Sequence, residues 1–471
     1  MTQSIADVVV IGAGVSGLSV AHWLTKTGVN VTVLEKDPVV GGTMKTVCED
    51  GFIVETGPNS ALETTPLMKE IVADCGLEDE FLYASPSGKN RYILRNGTLF
   101  SLPLTPPAFL ATRLFSFSAK LRLLKEPFIG RANKEESIAE FVERRLGREF
   151  LDYAIDPFVA GVFAGRPESL SVRAAFPKLY ALEEKYGGLI RGMIGGRRER
   201  KQRAEKAKDR AESFSFKSGM QTLPLAIARR LGSRVIVGAD VQSVEPIQGT
   251  DDSSRGFTVR CKQNGSDLIL RAKSVVLSVP AGAASELIRP FSRPTAEVLS
   301  SIYYPPVASI FTAFRKADVQ GPIDGFGFLV PSRERRQILG SLWSSSLFPG
   351  RAPGDLVAFT TFVGGGRQPE LVNKDEKDLC DLALTELKNI MQIRGNNVYL
   401  RVTRWHKAIP QYELGYLSNV EALERCERQF PGLHFCSNFK GGISVGDCVK
   451  SSFEVAQRIE SSLDYVNHQS K

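Results

Sequence analysis

Asp7-Val8-Val9-Val10-Ile11-Gly12-Ala13-Gly14-Val15-Ser16-Gly17, followed at a distance by Glu35 and by Gly41-Gly42, decides the fold. The run from Asp7 to Ile11, bounded by glycine, reads as a buried parallel strand. A GxGxxG turn, Gly12 to Gly17, then leads into a helical stretch from Leu18 to Thr27. Leu18, Ala21 and Leu24 share one face of it, and Gly28 supplies the stop. Val29 to Leu34 is the second strand, with Glu35 at its end. In such a turn Gly12 permits the tight bend, Gly14 lets backbone approach a pyrophosphate, and Gly17 lets the helix pack on the strand. The helix N-terminus faces the phosphates, and Glu35 has the reach to accept hydrogen bonds from a ribose. A glycine turn alone is weak evidence. Strand, turn, helix, strand and acid in this order mark a dinucleotide-binding unit. An acid at this position disfavours a 2′-phosphate and so disfavours NADP, leaving NAD and FAD.

The rest of the composition is that of an ordinary folded protein. The chain has 471 residues, 42% hydrophobic and 24% charged, a length that corresponds to roughly three domains. This excludes a disordered, collagenous or disulfide-built protein. The net charge is +8, compatible either with a solvated surface or with an anionic partner. Seven cysteines without a CxxC pair, and only four histidines, argue against a disulfide framework and a metal site and for a reducing compartment. No signal or transit leader is read at the N-terminus. No apolar run approaches the roughly 18 residues of a spanning helix. The longest uncharged stretch, Asn96 to Thr112, is broken by Pro103, Pro106 and Pro107.

Further along, Gly51 to Ser60 reads as a short strand and loop. Gly219 to Leu231 reads as a helix, and Arg234 to Val237 and Val241 to Glu245 as strands. Phe257 to Cys261 and Leu268 to Arg271 form a hairpin around Asn264-Gly265. Ser274 to Val279 is a separate buried strand, and Val449 to Val466 a closing helix. The dinucleotide fold is therefore expected to be assembled from the start, middle and end of the chain.

The run from Gly12 through Ala21, Leu24, Gly28, Val31, Val33 and Glu35 to Gly41-Gly42 resembles the FAD-specific form of the fingerprint. Together with Gly57-Pro58-Asn59, Asn90-Arg91-Tyr92, Asp156 to Gly165, Gly325 to Pro331, Phe362-Val-Gly-Gly, Ile409-Pro-Gln-Tyr412 and Val445-Gly-Asp447-Cys448, it resembles the flavin amine oxidase superfamily. Within that superfamily it resembles the oxygen-dependent, FAD-containing protoporphyrinogen oxidases, from about residue 6 to 460. The resemblance implies an α/β fold, α+β overall. It comprises a Rossmann-like FAD domain built from discontinuous segments, a mixed-sheet substrate domain and a helical, membrane-associating domain. The expected bounds are 1–80, 211–285 and 426–471 for the FAD domain. They are 81–101 and 286–425 for the substrate domain, and 102–210 for the helical one.

In that helical segment Pro106-Pro107 is expected to open a helix carrying Phe109, Leu110, Leu114 and Phe115. Ser118 to Lys125 interleaves Leu121, Leu123 and Leu124 with Lys120, Arg122 and Lys125. A basic, aromatic-bearing amphipathic stretch suits an anionic bilayer surface. An inward-packing surface helix fits the residues equally well, and the resemblance favours the membrane. Ser137-Ile138-Ala139-Glu140 is a capping box opening a helix that Gly147 closes. Arg197 to Glu212, with eight basic and four acidic residues, has no interleaved aromatic for base stacking, so no nucleic-acid partner is expected.

The resemblance also implies chemistry. Protoporphyrinogen IX loses six electrons to give protoporphyrin IX in three two-electron steps, each a hydride leaving for the flavin. Molecular oxygen reoxidises the flavin and yields hydrogen peroxide. The protein's task is to orient a large flat ring bearing carboxylates. By resemblance Arg91 binds a propionate. Leu329, Leu342 and Phe362 sandwich the macrocycle, and Gly161 leaves room for it. No side-chain base is assigned, and no metal. FAD contacts carried over are Gly12, Ala13, Gly14, Val15, Ser16, Gly17, Glu35, Lys36, Gly42, Thr43, Gly57, Pro58, Asn59, Ser60 and Val241. Ile443, Ser444 and Val445 lie near the isoalloxazine, and Trp405 is a weaker carry-over whose alternative is a core aromatic. FAD is expected to be non-covalent, because the context of Cys448 does not look like an attachment site. The strand Ala308 to Phe314 lacks the lysine common in amine oxidases, which disfavours an amine substrate.

A coproporphyrinogen III oxidase is the nearest alternative. A non-catalytic FAD-binding scaffold and a carotenoid desaturase are more distant ones, and Arg91 speaks against the last. The expected location is cytoplasmic and peripheral to the inner membrane. A homodimer and hand-over of product to a chelatase stay open as partners.

Overall fold

The computed structural model describes residues 3–195, 211–247 and 256–469; the basic run from Arg197 lies outside them as far as Arg210. Along the chain the strands are β1 (Gln3–Ile11), β2 (Val31–Leu34), β3 (Thr46–Glu49), β4 (Phe52–Glu55), β5 (Ala61–Leu62) and β6 (Phe81–Tyr83). They continue with β7 (Arg91–Arg95), β8 (Thr98–Ser101), β9 (Ser213–Phe216), β10 (Val235–Ile236), β11 (Ala239–Ile247), β12 (Gly256–Gln263) and β13 (Ser266–Leu277). The last are β14 (Val307–Arg315), β15 (Gly327–Leu329), β16 (Gly340–Leu342), β17 (Leu356–Gly364), β18 (Tyr399–Trp405) and β19 (Leu433–Phe435).

The first sheet has the order β10-β2-β1-β13-β12-β11, with β19 on β13. β1 pairs in parallel with both β2 and β13, and β19 and β10 extend the parallel part. The expected assembly from start, middle and end of the chain is what the strand order displays. Buried parallel strands need apolar side chains on both faces. Val8 and Val10 pack into one core with the helices Val15–Lys26, Thr222–Leu231 and Val445–Gln469. Val9 and Ile11 pack into the other, with Ala281–Ile288, Arg293–Ser301 and Tyr416–Gln429. One expectation is corrected here. The hairpin strand ending near Arg271 and the buried strand from Ser274 are a single twelve-residue strand, β13. Along one edge, residues 266–272 pair antiparallel with β12 across Asn264-Gly265, both at positive φ, and 275–277 pair in parallel with β19; along the other edge, 269–277 pair in parallel with β1. The polar break at Lys273-Ser274 marks the change from a half-exposed to a buried stretch, not a chain reversal.

The second sheet runs β18-β14-β17-β16-β15-β7-β8. One of its faces carries Leu94, Ala308, Ile310, Phe314, Phe328 and Val363 against the helix Glu376–Met391. The other face turns toward the nucleotide half and the helical region.

That helical region is short-segmented. The capping box forms as expected: Ser137 Oγ accepts the Glu140 N–H at 3.1 Å and Glu140 accepts the Ser137 N–H at 2.9 Å. Inside, the fully buried Arg145 pairs with the fully buried Glu126 and with Glu183. Glu126 in turn accepts the N–H groups of Leu189 and Ile190. The helix expected from Pro106 ends at Ala111, and the apolar stripe read on it is wrong. Leu114 and Phe115 follow it in a loop and are buried, Phe115 stacked on Phe150 at 4.4 Å, with Phe109 half-buried beside them. The cause is the turn at Thr112. It folds the two side chains under the strand residue Ile93, a long-range contact that helical periodicity does not register. Leu104, Leu110, Phe117, Leu121, Leu124 and Phe128 point outward instead. No helix of the described residues is long and apolar enough to cross a membrane.

Candidate active site

The nucleotide cradle is built at the C-terminal ends of β1 and β2. Gly12 sits at φ +102°, and a Cβ there would lie 2.5 Å from the Ser278 carbonyl oxygen. A Cβ on Gly17 would meet the Gly12 carbonyl oxygen at 2.0 Å, so helix and turn can close only on glycine. Gly14 is different. It caps the Val15–Lys26 helix, and nothing lies within 4 Å of the place a Cβ would take. The first N–H groups of that helix, in Val15, Ser16 and Gly17, have no intrahelical acceptor, and the helix dipole makes this end positive. Backbone open on one side and donor-rich on the other fits a pyrophosphate. Ser16 is buried, its carbonyl oxygen accepting from Ser452 Oγ at 2.9 Å.

Glu35 stands beside this turn. Its carboxylate accepts the Ala13 N–H at 2.7 Å and the Asp37 N–H at 2.9 Å, which fixes it and leaves lone pairs toward a ribose. Gly41 donates to the Ala13 carbonyl at 2.9 Å, and a Cβ on Gly42 would lie 3.3 Å from the Gly14 Cα. Thr43 is exposed, and its carbonyl lies where a Gly57 Cβ would be, 1.8 Å away, so the Gly57-Pro58-Asn59-Ser60 loop packs directly on it. Lys36 is exposed, with Nζ 3.5 Å from Asp240. Val241 lies two residues beyond Ala239, whose N–H donates to the Glu35 carbonyl, so both flank the distal end of the cradle.

At the opposite end, Gly441 and Gly442 at positive φ lead through Ile443 and Ser444 into the Val445–Gln469 helix. Ser444 Oγ accepts the Asp447 N–H at 3.2 Å. Tyr412 holds this entry, its hydroxyl donating to the Asn438 carbonyl at 2.6 Å and accepting the Gly442 N–H at 3.1 Å. Burial pushes the Tyr412 phenol well above its ordinary pKa and keeps it a donor. Ile443 packs against both the nucleotide core and the helical core that contains Val159 and Phe163. The expected flavin-side segment and the Asp156–Phe163 helix are thereby neighbours.

The second sheet supplies the third wall. Arg91 pairs with Gly327, and Gly327 with Leu342; Leu329 pairs with Gly340, and Gly340 with Phe362; Val307 pairs with Trp405. Side chains alternate with period two, so this register puts Arg91, Leu329, Leu342, Phe362 and Trp405 on one face. Leu329, Leu342, Phe362 and Trp405 are only half-buried, whereas Phe328, Ser341, Thr361 and Val363 between them are buried. Leu329, Leu342 and Phe362 stay accessible on inner strands and Trp405 on the edge strand β18, and together they line a slot. The Asp156–Phe163 helix roofs it: a Cβ on Gly161 would lie 2.6 Å from Leu329 Cδ2. Trp405 Nε1 donates to the Thr56 carbonyl at 2.6 Å and joins this face to the Gly57 loop.

Arg91 lies at the slot's edge, solvent-accessible, 4.9 Å over the Phe326 ring, with no carboxylate partner among the described residues. Partial desolvation lowers its pKa from the ordinary value, a penalty that an arriving carboxylate relieves. Arg95, four residues on and on the same face, is already neutralised by Glu149 at 2.6 Å and stacks on Tyr153.

From the sequence no role is read for Arg367, and Gln411 stands only within the Ile409–Tyr412 stretch, also without a role. Arg367 pairs with Asp156 at 2.9 Å, and Gln411 donates to the Phe163 carbonyl at 2.8 Å. Both hold the roofing helix. A polar residue inside an apolar stretch, Gln411 between Pro410 and Tyr412, was the available signal. Arg367 had none, because its partner is remote in sequence. The described residues contain no cluster of metal ligands, and none of the seven cysteines forms a disulfide.

A family profile described as flavin-containing amine oxidoreductase matches residues 15–460. Protoporphyrinogen oxidase 2, chloroplastic/mitochondrial, of Arabidopsis thaliana is 33% identical over 98% of this chain and 96% of its own. Coproporphyrinogen III oxidase of Bacillus subtilis (strain 168) is 29% identical over 95% and 97%. A crystal structure from Exiguobacterium sp. 255-15 superposes with a TM-score of 0.79 at 22% identity, covering 98% of this chain and 100% of that one, which shows the fold. The chain belongs to the flavin-containing amine oxidoreductase family and, within it, to the protoporphyrinogen oxidases.

Proposed function

We propose that the protein oxidises protoporphyrinogen IX to protoporphyrin IX with non-covalent FAD and molecular oxygen. The observation that carries this is the slot: an accessible apolar face with Arg91 unpaired at its rim among the described residues, roofed by the helix that neighbours the flavin-side segment. When bound, FAD accepts two electrons per turn, which oxygen removes as hydrogen peroxide. Arg91 holds a propionate by charge-assisted hydrogen bonds. Leu329, Leu342 and Phe362 present an apolar floor that fixes the ring and excludes water. Gly161, lacking a side chain, lets backbone of the roofing helix come close to the ring. No side-chain base is assigned. The carboxylate that opens the roofing helix, Asp156, is engaged by Arg367 and by the Ser332 N–H at 2.8 Å.

The Bacillus relative favours a second reading, coproporphyrinogen III to coproporphyrin III. Oxygen uptake by purified holoprotein with each porphyrinogen decides: faster turnover of protoporphyrinogen supports the first reading, and of coproporphyrinogen the second. No uptake with either leaves a non-catalytic scaffold. The cofactor is tested by denaturation. A yellow protein that releases free FAD supports the proposal, and flavin remaining on the chain refutes the non-covalent part.

Peripheral contact with an anionic membrane belongs to the same proposal, but through different side chains from those expected. Leu110, Phe117, Leu124 and Phe128 are exposed, and so are Arg113 and Lys125. Lys120 is committed instead to the Leu110 and Thr112 carbonyls. Each cation near an anionic surface adds about 1 kcal/mol. Wild type should co-sediment with anionic vesicles and be partly released by salt, and Phe117→Ser with Phe128→Ser should release nearly all. Wild type remaining in the supernatant at low salt ends this part of the reading.

A further inference from the structure

We propose that Arg367 is a positioning residue, a latch that sets the height of the Gly161-bearing helix over the substrate face; this rests on the reading above. Arg367 follows β17, the strand of Phe362. Its Nη1 donates to the Val330 carbonyl at 2.6 Å, immediately beyond Leu329. Its Nη2 donates to the Asp156 carbonyl at 3.0 Å and pairs with the Asp156 carboxylate at 2.9 Å. Both side chains are almost buried, at 13% and 7% exposure. The Asp156 carboxylate also accepts the N–H of Ser332, three residues after Leu329. One guanidinium thus ties the start of the roofing helix to the two strands that carry Leu329 and Phe362.

The end of the helix is held from the two residues just before Arg367. Gly366 donates to the Ala164 carbonyl at 2.6 Å. Ala164 is in the left-handed region at φ +50°, a conformation that an alanine keeps only when its surroundings impose it. Gly365 admits this approach, since a Cβ there would lie 2.6 Å from the Ala164 oxygen. Both ends of an eight-residue helix are therefore fixed by residues 365–367. Between them Gly161 rests against Leu329 with no side chain to spare. The latch sets how closely the Gly161 backbone approaches Leu329 on the substrate face, whereas binding of the ring's carboxylate depends on Arg91 at the far edge.

Removing one partner alone would strand a buried charge, so the test removes both. Arg367→Met with Asp156→Leu replaces the pair with apolar groups, an exchange that buried pairs often tolerate. The expected result is wild-type FAD content and thermal midpoint, KM little changed, and kcat lower by on the order of 10- to 100-fold, the effect of a misplaced reacting geometry. Hydrogen exchange in peptides covering 156–166 should quicken while β14 and β17 stay protected. Arg367→Lys should fall between, because one ammonium does not reproduce a fork that reaches Val330 and Asp156 together. Wild-type kcat and exchange in the double variant overturn the inference. If that variant loses FAD or folds poorly, Arg367→Lys decides alone, and wild-type kcat and exchange there overturn it equally. A wild-type enzyme that oxidises no porphyrinogen overturns the functional reading instead, and the exchange measurement still decides whether Arg367 holds the helix.

Discussion

The nucleotide cradle brings Gly12, Gly14, Gly17 and Glu35 together within one strand–turn–helix–strand unit, whereas the face proposed for substrate gathers Arg91, Leu329, Leu342, Phe362 and Trp405 from five strands. In the cradle, glycines are required because backbone meets backbone, and a Cβ on Gly17 would collide at 2.0 Å. On the substrate face, ordinary side chains are selected by register, and each is special only through its neighbours. The difference teaches where substitutions act. Changes in the cradle should cost cofactor and fold together. Changes on the face should cost substrate handling while the cofactor stays.

Gly17→Val is the sharpest way to break the comparison. Overpacking against the Gly12 carbonyl costs about 1–3 kcal/mol or more, and here the collision is with backbone that does not yield cheaply. The purified protein should be largely colourless, with a thermal midpoint lowered by several degrees. Flavin absorbance and a melting curve check this, and a yellow, fully stable variant would mean the cradle is looser than its geometry.

A pH titration separates the halves next. His434, on β19, is held neutral by burial, its pKa lowered from 6.5 to about 4, against an opposing pull from Glu427. A base with a depressed folded pKa adds nothing to the pH dependence above 6.5. As pH falls from 6.5 toward 4 the unfolded chain gains a proton that the folded one refuses, and stability drops. The full shift corresponds to at most about 3 kcal/mol, reduced by the part of the side chain that solvent reaches. The His434→Gln variant should lose less stability over that window than wild type. Parallel denaturation curves at pH 7 and pH 4.5 measure it, and identical losses would remove His434 from the account.

Arg91→Ala should weaken porphyrinogen handling by about 10- to 150-fold, the loss of a charge-assisted pair of about 1.5–3 kcal/mol. The effect should appear in KM, with flavin content intact. Steady-state kinetics decide, and an unchanged specificity constant makes Arg91 a plain surface cation.

The smallest effect tests the slot itself. Gly161→Ala places a methyl 2.6 Å from Leu329 Cδ2, a flexible side chain that can shift. A reduction of kcat/KM of about tenfold, near 1.4 kcal/mol, is expected, with no loss of thermal stability because alanine favours the helix. Adding Leu329→Ala should restore part of it if the two groups compete for one space. No recovery would place the fault elsewhere.

Legibility followed the same division. The first sheet was readable because its strands are continuous apolar runs and its phosphate turn is a local backbone device; Asp7 to Glu35 contains nearly all the information. The capping box at Ser137 was readable for the same reason. The slot residues came from resemblance, since Leu329 and Phe362 by themselves are ordinary strand residues. Phe115 shows the failure most clearly. Its spacing from Phe109 suggested one outward stripe, and a turn at Thr112 sent it under Ile93 instead.

By itself the sequence determined the elements whose energetics are local: the glycine turn, the buried parallel strands, the capped helix and the Asn264-Gly265 reversal. Only the tertiary structure decided that Ser266–Leu277 is one strand serving two pairings, that Arg91 is free while Arg95 is neutralised, and that Arg367 spans to Asp156. The physical reason is range. Backbone dihedrals and periodic burial are set by residues a few positions apart. Ion pairing, register and side-chain exposure depend on partners brought near by folding, and nothing in the spacing of a single chain segment encodes which partner arrives.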